Sequence, residues 1–232
     1  MATQHGKFIV IEGTDGSGKQ TQADLLVKRL QALHLPVVTF AFPQYGQKSA
    51  GMVEEYLAGK YGTPEEVGPY RASIFYAVDR YAISHKIRAE LAFGRHVVCD
   101  RYVASNLGHQ GSKLRDATER FNYYRWVMEL EFGLFGIPKP DRNIILHVPA
   151  ETTLQLIENR GQTKDAHEAD PDHLRAAERT YLEITQNFTG YTLIECAPKG
   201  NLLTREAIHE LTWAAVTPLL QPAEQTTTTI VK

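Results

Sequence analysis

The chain has 232 residues, of which 43% are hydrophobic and 22% charged, and its formal net charge at pH 7 is −2. This is ordinary globular usage, which excludes disordered and fibrous classes, and the near-neutral charge argues against a nucleic-acid coat or a basic membrane-surface binder. The length suits one generous α/β domain whose core needs no disulfide or metal staples.

Taken in chain order, Phe8–Ile11 reads as a buried strand, followed by a glycine-rich turn and a helical pattern over Lys19–Leu33. A second strand is predicted over Val37–Phe42, a long helix over roughly Glu65–Phe93, and a third strand over His96–Cys99. Ala117–Phe132 has helical spacing, and Ile137-Pro138-Lys139-Pro140-Asp141 is a rigid connection, since two prolines exclude helix. Asn143–Val148 is the fourth strand, Thr152–Asn159 a short helix, and Gly161–Asp172 a polar, mobile surface loop. Helix His173–Asn187, strand Thr192–Ile194 and helix Arg205–Leu219 complete the pattern. The tail from Gln221 has nothing to bury and is expected to fray. Short apolar runs without alternation suit strands covered on both faces, and their alternation with helices predicts a parallel sheet of βαβ units. The resulting expectation is one domain over residues 1–220, with a lid at about 160–172 and a disordered tail at 221–232.

Cys99 and Cys196 lie far apart and show no metal-ligand spacing. Without a secretory leader in the polar start, Met1 to Lys7, they read as free thiols in a reducing, cytoplasmic setting. No apolar run approaches the ~20 residues that cross a bilayer.

Gly13-Thr14-Asp15-Gly16-Ser17-Gly18-Lys19 follows the first strand and opens the first helix. A glycine run alone also suits a plain flexible turn. The strand before it and the helix after it favour a P-loop, in which backbone N–H groups and the helix dipole cradle phosphate. Gly13, Gly16, Ser17, Gly18, Lys19, Gln20 and Thr21 are therefore the candidate ATP contacts, with the Lys19 ammonium expected to stand exposed in the empty cradle. The usual Ser or Thr after the lysine is replaced by Gln20, whose role stays open, and Thr21 stands one place later. Val97-Val98-Cys99-Asp100 closes an apolar strand on an acid, and Arg101 stands where a water-activating glutamate is usual. A cation there suits binding of a second phosphate.

Six ordered segments closely resemble thymidylate kinases, the nucleoside monophosphate kinases that make dTDP from dTMP and ATP. They are Glu12 to Thr21, Phe42-Pro43-Gln44-Tyr45-Gly46, Tyr76-Ala77-Val78-Asp79-Arg80, Asp100 to Asn106, Pro138-Lys139-Pro140-Asp141, and the loop opened by Arg160-Gly161. The resemblance runs from Phe8 to about Ile194 and implies a five-stranded parallel sheet flanked by helices, with a lid. It also implies that Lys19, Arg101, Asp15, Arg160 and Lys164 carry phosphoryl transfer, with Arg101 gripping the acceptor phosphate. Asp100, Asp15 and Glu168 would serve Mg²⁺, and Asp15 would face the acceptor's 3′-hydroxyl.

For dTMP the resemblance implies Asp15, Phe42, Tyr45, Tyr76, Arg80, Arg101, Asn106 and His109. Tyr76 and Arg80, four residues apart on one helical face, suit stacking and a carbonyl contact. A register slip would exchange Tyr76 for Phe75. His109 stands where the family commonly has an aromatic that crowds the sugar's 2′ position, and an imidazole free to hydrogen-bond would weaken discrimination against ribose. The family is generally homodimeric, so a homodimer is expected, with ATP and dTMP as partners and no nucleic-acid polymer or membrane. Two alternatives stand beside dTMP phosphorylation: a kinase for another nucleotide or deoxynucleoside on the same scaffold, and a non-catalytic nucleotide sensor.

Overall fold

The computed structural model describes residues 5–160 and 171–220, with 156–160 described by backbone alone. Five strands form one sheet: β1 (Phe8–Gly13), β2 (Val37–Ala41), β3 (His96–Asp100), β4 (Arg142–His147) and β5 (Tyr191–Glu195). Every pairing is parallel and the order is β2-β3-β1-β4-β5, so β1 lies at the centre. The helices are α1 (Lys19–Ala32), α2 (Gly51–Leu57), α3 (Pro64–Ala92), α4 (Val103–Ser105), α5 (Ala117–Met128), α6 (Ala150–Arg160), α7 (Pro171–Asn187) and α8 (Arg205–Leu220).

The period-2 geometry of β1 divides the core. Ile9 and Ile11 pack with Leu26 and Leu30 of α1 and Val216 of α8, whereas Phe8 and Val10 pack with Ile87 of α3, Val127 of α5 and Ile184 of α7. Central strands β1, β3 and β4 are almost wholly buried, while β2 and β5 are half-exposed edges. Continuous hydrophobicity therefore reports coverage on both faces only at the centre.

Several elements differ from the sequence expectations. The seven-residue α2 is too short to show a helical period. Helix α3 breaks at Gly68 (φ 74°, ψ 164°) before Pro69, and Arg71 Nη1 donates to the carbonyls of Glu66 and Val67 near the break. The predicted helix Ala117–Phe132 stays α-helical only to Met128 and widens into a π-helical turn over Glu129–Leu134. A second π turn, Asn106–Gln110, continues α4. Helix α6 runs to Arg160, one residue beyond the expected Asn159, and α7 starts at Pro171, where proline suits a first helical position. Of the lid, Lys164 and Glu168 lie outside the described residues, as do the side chain of Arg160 and the 221–232 tail.

Candidate active site

Central strand β1 delivers the chain into the phosphate cradle at its carboxyl end, the usual ligand edge of a parallel sheet. Gly13 (φ 144°), Gly16 (φ 80°) and Gly18 (φ 88°) take backbone conformations that a side chain disfavours. A Cβ on Gly13 would also stand 2.6 Å from the Leu146 carbonyl oxygen. The cradle opens on a cleft of about 1400 Å³ lined by Asp15 to Gln22, Asp100, Arg101, Leu203 and Arg205. Lys19 is buried, not exposed as expected: its Nζ donates to the Thr14 carbonyl at 2.8 Å and lies 3.8 Å from Asp15 Oδ1. Burial first, and then the Arg101 charge, pushes its pKa down to about 8. Among the described residues, Thr14 Oγ1, Ser17 Oγ and Asp100 Oδ1 are buried without a hydrogen-bond partner. Such orphans are costly, and three in one place mark a site awaiting polar ligands.

Arg101 leaves β3 with φ 65°, a left-handed conformation rare for a long side chain. Its position is over-determined: the Arg101 N–H donates to the Ile11 carbonyl, Nη2 donates to Asp15, and Nη1 reaches Ser105 Oγ at 3.4 Å. Behind it, fully buried Glu12 accepts the Tyr102 N–H at 2.6 Å and the Ser105 hydroxyl at 2.7 Å. Burial raises the Glu12 pKa, opposed by Ser105 and Arg101. Glu12 thus pins the turn after β3 to the end of β1, so strain at Arg101 is held by buried hydrogen bonds.

A second cleft, of about 600 Å³, is lined by Asp15, Phe42, Tyr45, Tyr76, Arg80, Arg101, Asn106 and His109, among others. Phe42 doubles as core, 4% exposed and 5.7 Å from the Tyr102 ring, while Tyr45 is 61% exposed at the rim. Tyr76 lines this cleft, whereas Phe75 turns to Tyr56 and Tyr61 at 6.1 and 5.5 Å. Buried Asp79 accepts from the Gln44 N–H (2.8 Å), Gln44 Nε2 (3.1 Å) and Ser49 Oγ (2.6 Å), tying the segment after β2 to α3.

Arg80 and Asn106 stand in the wall of the second cleft but are not free side chains. Fully buried Glu131 accepts Arg80 Nε at 2.6 Å and Nη2 at 2.5 Å, and Asn106 Nδ2 at 3.2 Å. The free imidazole expected at position 109 is also engaged. His109 Nε2 lies 3.0 Å from Arg101 Nη1, and Nδ1 lies 3.5 Å from His173 Nε2, with the rings stacked 5.7 Å apart. Burial holds its pKa well below the usual histidine value, so the neutral ring accepts from Arg101.

Sequence reasoning missed Glu12, Asp79 and Glu131 as supports of the site, and Leu203 and Arg205 as walls of the first cleft. A signal existed for the acids: Glu12 ends an otherwise apolar strand, and Glu131 sits in the apolar stretch Trp126 to Phe135. Such acids require a buried partner.

Among the described residues no group of three His, Cys, Asp or Glu side chains could hold a metal, and no helix is long and apolar enough to cross a membrane. The sequence profile of the thymidylate kinase family matches residues 11–208. A thymidylate kinase of Mycobacterium tuberculosis is 34% identical over 194 residues, covering 81% of this chain and 90% of that protein. A probable thymidylate kinase of Methanocaldococcus jannaschii is 32% identical over 193 residues, covering 83% and 88%. The solved thymidylate kinase of Candida albicans superposes with a TM-score of 0.75 over 93% of this chain and 92% of that one, at 22% identity, which speaks for the fold.

Proposed function

Since the chain belongs to the thymidylate kinase family, an ATP-dependent enzyme family that phosphorylates dTMP, we propose that its two clefts hold the two nucleotides of that reaction. The observation that carries this division is that Asp15 and Arg101 line both clefts and bond to each other. Donor and acceptor phosphates thereby meet across one guanidinium and one carboxylate, the arrangement that in-line transfer between two polyanions requires.

On the donor side the amides of Gly13, Gly16, Ser17 and Gly18 and the ammonium of Lys19 take the phosphates, with Gln20 and Thr21 on the cleft wall. On the acceptor side Arg101 grips the dTMP phosphate through N–H groups still available beyond Asp15, in the fork geometry suited to phosphate. Asp15 orients Arg101 and faces the sugar. Tyr76 stacks on the base, Arg80 and Asn106 meet its edge, and Phe42, Tyr45 and His109 wall the pocket. Arg160 and Lys164 supply the cation that Gly16 leaves out of the P-loop, from a lid at about 160–172 that closes one domain of residues 1–220 and excludes water.

Mg²⁺ suits the same junction: the Asp100 oxygen that has no hydrogen-bond partner among the described residues and the nearby Asp15 carboxylate are hard ligands, and Mg²⁺ normally takes one or two carboxylates together with phosphates and water. Asp100 and Asp15 would hold it with Glu168 assisting, and when bound it neutralises phosphate charge. Two buried free cysteines support a reducing, cytoplasmic location. A homodimer is supported by an exposed apolar stripe on α3, Tyr70, Ile74, Val78 and Tyr81, which Trp126 and Phe135 extend.

The test is a coupled assay of ADP release over a panel of nucleoside monophosphates, with dTMP expected as the preferred acceptor. The Arg160→Ala variant is expected to lower kcat more than it raises KM for dTMP. If only the KM for ATP changes, Arg160 is a donor-side contact and Lys164 takes its place. Loss of ADP release with every monophosphate would overturn the division of the clefts.

A further inference from the structure

Glu131 lies in the π turn after α5, wholly out of solvent, and lines neither cleft. Its two oxygens take the Nε and Nη2 sides of the Arg80 fork, and one of them also takes Asn106 Nδ2. Arg80 Nη1 donates to the Tyr102 carbonyl at 3.2 Å. Of the five N–H bonds on a guanidinium, three are thereby committed and two remain, so toward the cleft Arg80 offers donors only.

Asn106 is more constrained. Both hydrogens of its amide are committed, one to Glu131 and one to the Ser73 carbonyl at 3.1 Å. Turning the amide over would set Oδ1 against a carboxylate and a carbonyl, two acceptors facing an acceptor. The Asn106 backbone is held separately, its carbonyl accepting from Tyr123 Oη at 3.1 Å. What remains for a ligand is Oδ1, an acceptor.

A cleft wall that offers donors from Arg80 and an acceptor from Asn106 matches a ring edge that carries a carbonyl beside an N–H. Thymine and uracil have that edge at C4=O and N3–H. Cytosine carries the reverse, an amine at C4 and a bare N3. We infer that Glu131 is a specificity-determining positioning residue: without touching the nucleotide, it fixes the hydrogen-bond polarity of the base pocket and so selects 4-keto over 4-amino pyrimidines. The inference rests on dTMP as acceptor.

Glu131→Gln tests it. A glutamine amide accepts from Arg80 through one atom only, and its NH₂ can donate to an Asn106 amide that has turned over. The expected result is a fall in kcat/KM for dTMP on the order of a hundredfold, carried mostly by KM, with a smaller fall for dCMP. The dTMP/dCMP preference then shrinks at least ~tenfold, because a pocket's discrimination is lost once its buried polar groups no longer fix the edge they read. The dTMP/dUMP ratio is the control, since the two bases share that edge and differ by one methyl; it is expected to stay within about twofold of wild type. Equal losses for all three acceptors mean that Glu131 is merely structural, and overturn the inference. Should Glu131→Gln fail to fold, Glu131→Asp keeps the charge but is too short to reach both partners. The dTMP/dCMP preference is then expected to shrink by about threefold or more, and an unchanged ratio again overturns the inference. A wild type that transfers to no thymine nucleotide takes down the dTMP reading and this inference together. A wild type that prefers dTMP, with variant ratios unchanged, takes down this inference alone.

Discussion

The donor cradle draws Gly13 to Thr21 from one unbroken stretch, whereas the acceptor cleft draws side chains from the ends of β1 and β3, the segment after β2, helix α3 and the Asn106–Gln110 turn. The two differ as much in their polar atoms. Among the described residues, Thr14 Oγ1, Ser17 Oγ and Asp100 Oδ1 around the cradle are buried without partners, as is Gln110 Oε1 in the acceptor cleft, but the acceptor wall is otherwise braced in advance through Asp79, Glu12 and Glu131. Phosphate brings strong charge and many acceptor atoms, so a cradle of amides and one ammonium, itself resting on the Thr14 carbonyl, can take it up without a directional frame behind it. A base is told from its rivals by a few directional hydrogen bonds, so its pocket must have its donors and acceptors fixed beforehand.

The sharpest way to break this contrast is Lys19→Ala. Lys19 is the one cation of the loop Gly13 to Thr21, so turnover is expected to fall by on the order of a hundredfold or more, read by coupled ADP release. The fold is expected to persist, checked by Tm. A folded variant with near-normal turnover removes Lys19 from the donor side.

Asp79→Ala attacks the other region from behind. It leaves the Gln44 N–H without its carboxylate acceptor at about 1–3 kcal/mol and frees the segment that carries Phe42 and Tyr45. KM for dTMP is expected to rise by about tenfold or more, with KM for ATP nearly unchanged. A parallel rise in both constants would show that the two clefts are not braced separately.

A third effect belongs to pH. With its pKa at about 8, Lys19 is partly neutral above that pH, and phosphate favours the charged form. ATP binding is therefore expected to take up a proton near pH 8 and to weaken by up to about tenfold per unit as pH rises above it. Calorimetry in buffers of different ionisation enthalpy reads the proton, and Lys19→Arg is expected to abolish the uptake.

The smallest effect concerns His109. Unfolded, its imidazole takes a proton near the ordinary value, but folded only well below it. Between those limits the unfolded chain binds the extra proton, so its contribution to stability is complete above pH ~6.5 and declines as pH falls below that. Relative to His109→Phe, the wild type is expected to lose up to about 1.4 kcal/mol per pH unit in that range, measured by denaturant unfolding. Parallel pH profiles would mean that His109 is not held neutral by the fold.

How far each region could be read beforehand follows from its construction. Gly13 to Lys19 declared the cradle, because a phosphate loop is a local arrangement of torsions and amides at fixed spacing. Phe8 to Ile11 and Asn143 to Val148 declared central strands, because burial on both faces leaves a continuous apolar run. The face of Tyr76 on α3 was likewise legible, though Phe75 could not be set aside until its ring was seen against Tyr56 and Tyr61. The turns that carry Asn106, His109 and Glu131 were not, because π turns depart from the 3.6-residue period on which helix faces are assigned.

By itself the sequence determined the parallel sheet, the phosphate loop on its first strand and the acid–arginine pair closing its third. Each of these is written in neighbouring residues, through torsional preference and hydrophobic period. Only the tertiary structure decided which side chains are free to act. Lys19 is buried, His109 faces Arg101, and Arg80 and Asn106 share Glu131, respectively 51 and 25 residues away in the chain. A hydrogen bond between distant residues leaves no period or spacing in the sequence, and it exists only once the sheet and helices have brought those residues together.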